Sequence, residues 1–204
     1  MPTEVATDVY EISAWSEDGG KDYRVFLFAA GTPTLVDTGK PDTASAIIDG
    51  IEAVGVEPER VVITHGDGDH VGGFDAVVDR FAPETWVPEG TDLDAESTPT
   101  HWFSDGDRIG RFVAVHTPGH EPEHHVVIDE PAGIAVMGDA ANGSDRRGLP
   151  PGYFTLPSSS TDLDQALESL RKLLDYDFDV GLVFHGSSVM EDASGKLDRY
   201  VNPV

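Results

Sequence analysis

The order of apolar and polar positions predicts a chain whose strands come first and then alternate with helices. Short apolar runs bounded by Gly or Pro are typical of buried strands, and apolar residues three or four positions apart are typical of helices. In chain order we predict hairpin arms 9–15 and 23–29, strand 34–37, helix 41–53, strand 61–64, helix 73–81, two or three strands within 108–137, helix 162–174, strand 180–184 and helix 187–198. Segment 82–106 is predicted to be irregular with short strands, and 142–161 a long loop. This order favours two packed sheets with helices outside, an α+β protein.

The length of 204 residues suits one domain with a full hydrophobic core. Because no linker, internal repeat or low-complexity tract divides the sequence, we predict a single domain over residues 1–204. No apolar stretch approaches the ~20 residues that cross a bilayer, so no membrane association is expected. The N-terminus lacks the basic and apolar regions of a secretion signal. We therefore expect a cytoplasmic protein.

The charge of the chain is strongly negative, with 38 acidic and 13 basic residues and a formal net charge of −25. Such a surface repels itself, and at ~1 M salt the Debye length falls to ~3 Å and screens most of that repulsion. Because the acids are spread along the whole chain, we interpret them as adaptation to a salty cytoplasm, as in halophiles, with an acidic interaction surface as the alternative. The acidity also argues against nucleic-acid binding. The absence of cysteine excludes thiolate metal ligands and a cysteine nucleophile.

Four of the apolar runs end on residue types that bind metals. In layered folds, ligands bind at strand ends, where loops converge. Seven imidazole and carboxylate groups follow the four runs, and seven ligands suit two metal ions better than one. Run 61–64 leads into His65, Asp67, Asp69 and His70, run 112–115 leads through Thr117-Pro118-Gly119 into His120, run 134–138 leads into Asp139, and run 182–184 leads into His185.

These segments resemble the motifs of metallo-β-lactamase-fold hydrolases. Thr64 to His70 matches the family's T-H-x-H-x-D-H motif except at one position. The segments ending at His120, Asp139 and His185 match the later ligand segments in the same order. Val36-Asp37-Thr38-Gly39 matches an upstream turn, in which Asp37 would support the metal site without binding metal. The resemblance covers about residues 36–186 and implies a four-layer αββα sandwich with a dinuclear site at one edge.

The resemblance also implies a role for each ligand. His65, Asp67 and His120 would hold one metal, and Asp69, His70 and His185 would hold the other. Asp139 would bridge the two metals beside a water or hydroxide, and Asp69 and Asp139 are the candidate catalytic carboxylates. Zinc is the first candidate, because three nitrogen or oxygen ligands leave it an open position for water. A bound metal lowers the pKa of that water from ~15.7 toward ~7. Gly66 and Gly68 are expected to give this segment an unusual backbone path.

Asp67 departs from the family pattern, which usually has histidine at this position. Both half-sites then contain two histidines and one carboxylate, a set found in zinc hydrolases and in non-haem iron oxygenases. The extra negative charge favours a harder site that tolerates iron or manganese. Two alternatives remain open. Asp67 could lie outside the ligand shell, or the chain could be a metal-free member of the fold.

The function favoured by these residues is hydrolysis of a small-molecule substrate, an ester or thioester, by a hydroxide bridging two metals. The motifs also resemble the glyoxalase II branch, although the chain looks too short for that branch's extra C-terminal substrate domain. One alternative is a non-haem iron oxidoreductase, sulfur dioxygenase-like or flavodiiron-like, in which a carboxylate at position 67 is expected. Another is a non-catalytic, metal-free binding module. The oligomeric state is left open.

Four further residues are candidates for binding substrate. Arg146 and Arg147 form the chain's one adjacent basic pair and could clamp an anionic group, or form surface salt bridges. Tyr153 in the same loop could wall the site or anchor the loop. His124 lies where some members of the family carry a second histidine, and could contact the site or be structural.

Overall fold

The computed structural model describes residues 2–203, which form two compact units that divide between Trp102 and Phe103. We refer to them as the first and second units and describe each by itself. Within the described residues, no helix is both long and apolar enough to cross a membrane. The single domain expected over residues 1–204 is not tested by these features and stays a prediction.

The first unit is a seven-stranded sheet whose strands lie in sequence order, with three helices. Its strands are β1 (Thr3–Ala6), β2 (Val9–Ser16), β3 (Lys21–Phe28), β4 (Thr34–Val36), β5 (Arg60–Val62), β6 (Glu84–Pro88) and β7 (His101–Phe103), and its helices are α1 (Ala44–Val54), α2 (Gly68–Val71) and α3 (Phe74–Phe81). Strands β1 to β4 pair antiparallel, whereas β4, β5 and β6 pair parallel. Because parallel strands end at the same edge, the residues after Val36 and Val62 are neighbours.

Close approach of α1 to β2 holds the first unit together. A Cβ added to Gly50 of α1 would lie 2.4 Å from Cγ2 of Ile12, so only glycine permits this contact. Ile47 and Ile51 point from the same helix into a core that they share with Phe26 and other side chains of β3, and all three are fully buried. The helix ends at Gly55, whose left-handed conformation lets its N–H reach the carbonyl of Ile51.

The second unit contains a five-stranded sheet, a two-stranded ribbon and two helices. The sheet order is β14-β11-β10-β9-β8, in which only β11 and β14 pair parallel, and β12 pairs with β13. The strands are β8 (Arg108–Ile109), β9 (Phe112–His116), β10 (His125–Asp129), β11 (Ile134–Val136), β12 (Asn142–Gly143), β13 (Phe154–Thr155) and β14 (Val180–Leu182), and the helices are α4 (Leu163–Lys172) and α5 (Ala193–Val201). One face of the sheet shares a core with the inward residues of both helices, including Leu170 and Leu197.

The predicted elements are confirmed in type and order, with three differences. Four strands rather than two or three lie within 108–137, because β8 is only two residues long. The loop 142–161 contains the β12–β13 ribbon and a 3₁₀ turn at Ser144–Arg147. The last helix begins at Ala193 rather than at 187, because Val189 forms a bridge with Gly181 of β14 and holds the preceding residues extended.

One buried histidine of the second unit makes its stability depend on pH. His125 is 3% exposed, and its Nδ1 donates to the carbonyl of Glu123 at 2.8 Å. Protonation would place a second N–H at Nε2, where the described residues offer no acceptor. Burial lowers the pKa of His125 from 6.5 to about 4, and nearby His116 and Lys172 add to the lowering while Asp105 opposes it.

We expect the free energy of unfolding of metal-free protein to fall by up to about 3 kcal/mol because of this group as pH falls from 6.5 to 4. The unfolded chain binds a proton in this window and the folded chain does not, so the stability is present above pH 6.5 and lost below it. Urea unfolding of His125→Phe should show a correspondingly flatter pH dependence. His101→Phe, at a half-exposed histidine paired with Glu84, is the control. Equal slopes for wild type and His125→Phe would contradict the assignment.

Candidate metal centre

The half-site of the first unit is built around the carboxylate of Asp37, which lies just after β4. Its backbone adopts the left-handed conformation with φ of 61°, and its N–H donates to the carbonyl of Val62 at the end of β5. Its side chain is fully buried and accepts three hydrogen bonds, from Thr64 N at 2.7 Å, Thr64 Oγ1 at 2.8 Å and His70 Nδ1 at 2.6 Å. Asp37 therefore joins the ends of two parallel strands to the histidine on α2.

These hydrogen bonds fix the tautomers of two predicted ligands. His70 donates from Nδ1 to Asp37, so in the neutral ring the lone pair is on Nε2. Thr64 Oγ1 spends its proton on Asp37 and so accepts from His65 Nδ1 at 2.9 Å, which leaves the lone pair of His65 on Nε2 as well. A carboxylate or hydroxyl behind the imidazole is the usual support of a metal-binding histidine. The predicted supporting role of Asp37 is consistent with this arrangement.

The four predicted ligands of the first unit lie close together. Suitable ligand atoms of His65 and Asp67, of His65 and His70, and of Asp69 and His70 lie within 4.8 Å of each other. The distance from His65 Nε2 to Asp67 Oδ2 is 3.6 Å, which is too long for a hydrogen bond. It matches the spacing of about 3.4 Å that two ligands at ~2.1 Å from one tetrahedral ion would have. This spacing suits the residues for a shared metal.

The backbone of this segment differs from the prediction. Gly66 and Gly68 are absent from the positive-φ residues, so the conformational freedom of glycine is not used there. The turn into α2 is formed instead by Asp67, whose carbonyl accepts from the N–H groups of His70 and Val71. The unusual backbone conformations lie at Asp37 and at Gly39, with φ of 74°.

The half-site of the second unit is centred on Asp139, which follows β11. Asp139 Oδ2 lies 3.6 Å from His120 Nε2 and also 3.6 Å from His185 Nε2. All three side chains are less than a tenth exposed. The equal spacing repeats that of His65 and Asp67 in the first unit, and it suits one carboxylate oxygen serving ions held by different histidines.

His124 positions Asp139. This fully buried histidine accepts from the backbone N–H of Asp139 at Nε2, at 2.9 Å, so its proton is on Nδ1 and is donated to Thr117 Oγ1 at 2.8 Å. Both ring nitrogens of this candidate substrate-binding residue are thus engaged within the second unit. His124 links the loop that carries His120 to the loop that carries Asp139.

The loop that carries His120 is held by the N-terminal end of α4. The carbonyl of Pro118 accepts from Ser169 Oγ at 2.6 Å, and that of Gly119 accepts from the N–H of Asp162 at 3.0 Å. Gly119 has φ of 130°, and a Cβ there would lie 2.4 Å from the backbone nitrogen of Ala166. Glycine is therefore required for His120 to reach its position.

The loop that carries His185 is held by residues that follow Asp139. The N–H of Gly143 donates to the carbonyl of His185 at 2.8 Å, and Asp145 accepts from the N–H and hydroxyl of Ser187 at 2.8 and 3.0 Å. Gly186 lies between them with φ of 85°, and a Cβ there would be 2.8 Å from Cγ of Arg146. The segment after Asp139 thus fixes a second ligand of its own unit.

The remaining substrate-binding candidates lie on this segment. Arg146 and Arg147 are exposed. Arg147 donates to the carbonyl of Leu156 at 3.0 Å, a loop contact, whereas the aliphatic part of Arg146 lies against Gly186, next to His185. Tyr153 is 53% exposed, while its neighbour Phe154 is buried and anchors the loop. None of these positions tests whether the residues bind substrate.

Comparison with known proteins identifies the family. The family model described as the metallo-beta-lactamase superfamily matches residues 23–185, which is most of the chain. The chain belongs to the metallo-β-lactamase superfamily. Members typically bind divalent metals, and the histidine and aspartate groups of the two units could hold such ions. The predicted family resemblance is confirmed.

Individual superfamily relatives differ in length and description. The uncharacterized protein YobT of Bacillus subtilis is 25% identical over 170 residues, which are 70% of this chain and 73% of YobT. The atrochrysone carboxyl ACP thioesterase of Passalora fulva is 29% identical over 161 residues, which are 76% of this chain and 45% of that enzyme. The chain spans about half the length of several of the curated relatives that it matches.

A solved metallo-β-lactamase-superfamily structure shows the same fold. The crystal structure of TTHA1623 in a di-iron-bound form has a TM-score of 0.70 and 20% identity, covering 93% of this chain and 97% of that one. The α+β class and metallo-β-lactamase fold, predicted as an αββα sandwich, are confirmed. The assignment of all seven ligands to one dinuclear centre stays a prediction.

Sequence reasoning missed two features of these half-sites. It did not predict that Thr64 relays the carboxylate of Asp37 to His65, and it placed His124 among the substrate contacts. The available signals were the threonine directly before His65 and a buried-type histidine just before strand β10. Neither signal specifies which nitrogen or oxygen a side chain will meet.

We expect Asp37→Asn to weaken binding of the metal that His70 would hold by about 10- to 100-fold. The amide group would face His70 Nδ1 with a donor, so the imidazole would move its proton to Nε2 and lose its ligand lone pair. Metal affinity can be measured by competition with a chromophoric chelator. Asp75→Asn is the matched control, because Asp75 also accepts two backbone hydrogen bonds in the first unit. Equal affinities in the two variants would refute the tautomer argument.

We expect Gly119→Ala to destabilise the protein by about 2–4 kcal/mol, through a strained φ and contact with α4. Gly106→Ala is the control, since Gly106 has φ of +82° but open space around it and should cost only about 1 kcal/mol. Urea unfolding at fixed salt measures both. A Gly119→Ala variant no less stable than Gly106→Ala would mean that the α4 contact is unimportant.

Proposed function

We propose that the ligands of both units hold two divalent metal ions and that the protein hydrolyses a small ester or thioester. The observation that carries this proposal is the set of histidines whose Nδ1 atoms are fixed by Asp37 and Thr64, while Asp139 lies 3.6 Å from two further histidines. A group of oriented imidazoles around carboxylates is a metal-binding chemistry rather than an ion-pair network.

The donor set fits zinc first and admits iron or manganese. Nitrogen and oxygen ligands only, with no thiolate in the chain, suit all three metals. When bound, such an ion supplies a water of lowered pKa as a nucleophile at neutral pH. The protein's own part is to hold the imidazoles in one tautomer and to keep Asp139 in place through His124.

The ester or thioester class is supported by the superfamily relatives. One relative, from Passalora fulva, is described as a thioesterase, and others are described as lactamase-like proteins. A glyoxalase II-like substrate, a small intracellular thioester, fits this class and the motif resemblance. We take Arg146 as the residue that would bind an anionic part of the substrate, because its stem lies against Gly186, beside His185.

A second candidate function is a non-haem iron oxidoreductase, sulfur dioxygenase-like or flavodiiron-like. Asp67 favours it, because with Asp69 and Asp139 the ligand set has three carboxylates, which suit harder ions. The structural neighbour TTHA1623 was solved in a di-iron-bound form. A metal-free binding module is the third candidate, and its mark would be folded protein that retains no metal.

The surroundings proposed for this activity follow from the composition. We propose a protein adapted to a salty cytoplasm, with small-molecule substrates rather than nucleic acid or membrane as its partners. The net charge of −25 supports the salt adaptation and opposes polyanion binding.

We expect protein purified in concentrated KCl without chelator to contain about two zinc ions per chain and to hydrolyse a thioester in a screen. Asp139→Asn should lower the rate at least about 100-fold, because it removes the carboxylate that two histidines flank. Asp162→Asn is the control for loss of one acidic charge, because asparagine caps α4 as well as aspartate does.

Other outcomes separate the candidates. One or two irons with oxygen uptake, abolished in Asp67→His, would move the assignment to the oxidoreductase. Folded protein with no metal and no hydrolysis would support the binding module instead.

A further inference from the structure

A groove of the second unit combines basic and aromatic side chains outside the metal ligands. It is a cavity of about 260 Å³ lined by Tyr153, Phe154, Lys196, Arg199 and Tyr200, and we refer to it as the Tyr–cation groove. Its residues come from β13, the residue before it, and helix α5. Basic residues are scarce in this chain, with 13 against 38 acids, so their convergence on one cavity is selective.

The two cations lie on one face of α5 and have weak acidic partners. Lys196 and Arg199 are three positions apart, which places them on the same side of the helix. Lys196 Nζ is 3.8 Å from Glu191, whose side chain is 85% exposed, and Arg199 is 2.7 Å from Asp192, whose side chain is 59% exposed. Exposed pairs of this kind contribute little to stability, so an incoming anion can replace the acids.

The aromatic part of the groove is partly fixed and partly open. Phe154 is buried against Gly181 and forms the floor. Tyr200 accepts the N–H of Leu156 at its hydroxyl, at 2.9 Å, which holds the phenol in place with its own proton available to an acceptor. Tyr153 remains 53% exposed, with Lys196 Nζ 5.6 Å from its ring centre. An exposed ring beside two cations suits a planar group that carries a phosphate.

The groove adjoins the loop that carries His185. Gly143 donates to the carbonyl of His185 and the next residue, Ser144, donates to the carbonyl of Tyr153. Two bonds of 2.8 and 2.9 Å from neighbouring residues place these carbonyl oxygens within about 10 Å of each other. A molecule bound at Tyr153 can therefore extend to the His185 loop of the same unit.

We propose that the Tyr–cation groove binds the phosphorylated adenosine of a coenzyme A thioester, with the phosphates on Lys196 and Arg199 and the base on Tyr153. This inference rests on the proposed thioester hydrolysis and names its substrate class. Arginine and lysine bind phosphate through charge-assisted hydrogen bonds, and bases stack on aromatic side chains in proteins that bind single strands. A glutathione carrier, whose anions are carboxylates and which has no aromatic ring, would not use Tyr153.

The test is calorimetric titration of the full chain with adenosine 3′,5′-bisphosphate, in salt at which the protein is folded. Arg199→Gln and Lys196→Gln should each weaken the dissociation constant about tenfold, through loss of one charge-assisted hydrogen bond. Tyr153→Ala should weaken it similarly, and Tyr153→Phe should retain it. Arg108→Gln is the matched control, because Arg108 forms an exposed pair of 2.8 Å with Glu130 elsewhere in the second unit.

The outcomes distinguish this inference from the proposed function. No binding of the bisphosphate, equal loss in Arg108→Gln, or equal affinity for inorganic phosphate or glutathione would overturn it. Binding that depends on Arg199 in a protein without thioesterase activity would support the groove and refute the hydrolysis. Where hydrolysis is measurable, Arg199→Gln should raise KM for an acyl-coenzyme A about tenfold more than KM for the same acyl group on N-acetylcysteamine.

Discussion

The buried carboxylate of Asp37 is the constraint on which the first half-site depends. A buried charge is costly unless hydrogen bonds satisfy it, and Asp37 receives three, from Thr64 and His70. Those three bonds hold the ends of β4 and β5 against α2 and set the proton position on two imidazoles. The stability of the segment and its capacity to bind metal therefore arise from the same atoms.

The second unit reaches the same result with a neutral group. His124 lies between Thr117 and the backbone of Asp139, so an imidazole does there what a carboxylate does in the first unit. A neutral brace adds no charge beside Asp139, which already carries one. A carboxylate in that place would face Asp139 with like charge and raise the cost of burying both.

The sequence was sufficient for the elements and the ligand positions, because both depend on local patterns. Val61 to His65 could be recognised as a strand followed by a ligand from apolar periodicity and residue type alone. The role of His124 could not, because it depends on which atoms meet across the loops after β9 and β11. The start of α5 was missed for a similar reason, since a bridge between Val189 and Gly181 overrides the helical pattern.

The position of Asp67 shows why the departure from the family motif is compatible with the fold. Asp67 is the N-cap residue of α2, where aspartate is favoured over most residues, yet its side chain makes no capping hydrogen bond to that helix. The backbone carbonyl of Asp67 accepts from His70 and Val71 instead, a contact that any residue type could make. The carboxylate is thus not required for the local turn, and it lies 3.6 Å from His65 Nε2. Selection at this position can therefore act on the chemistry of the metal site without cost to the helix.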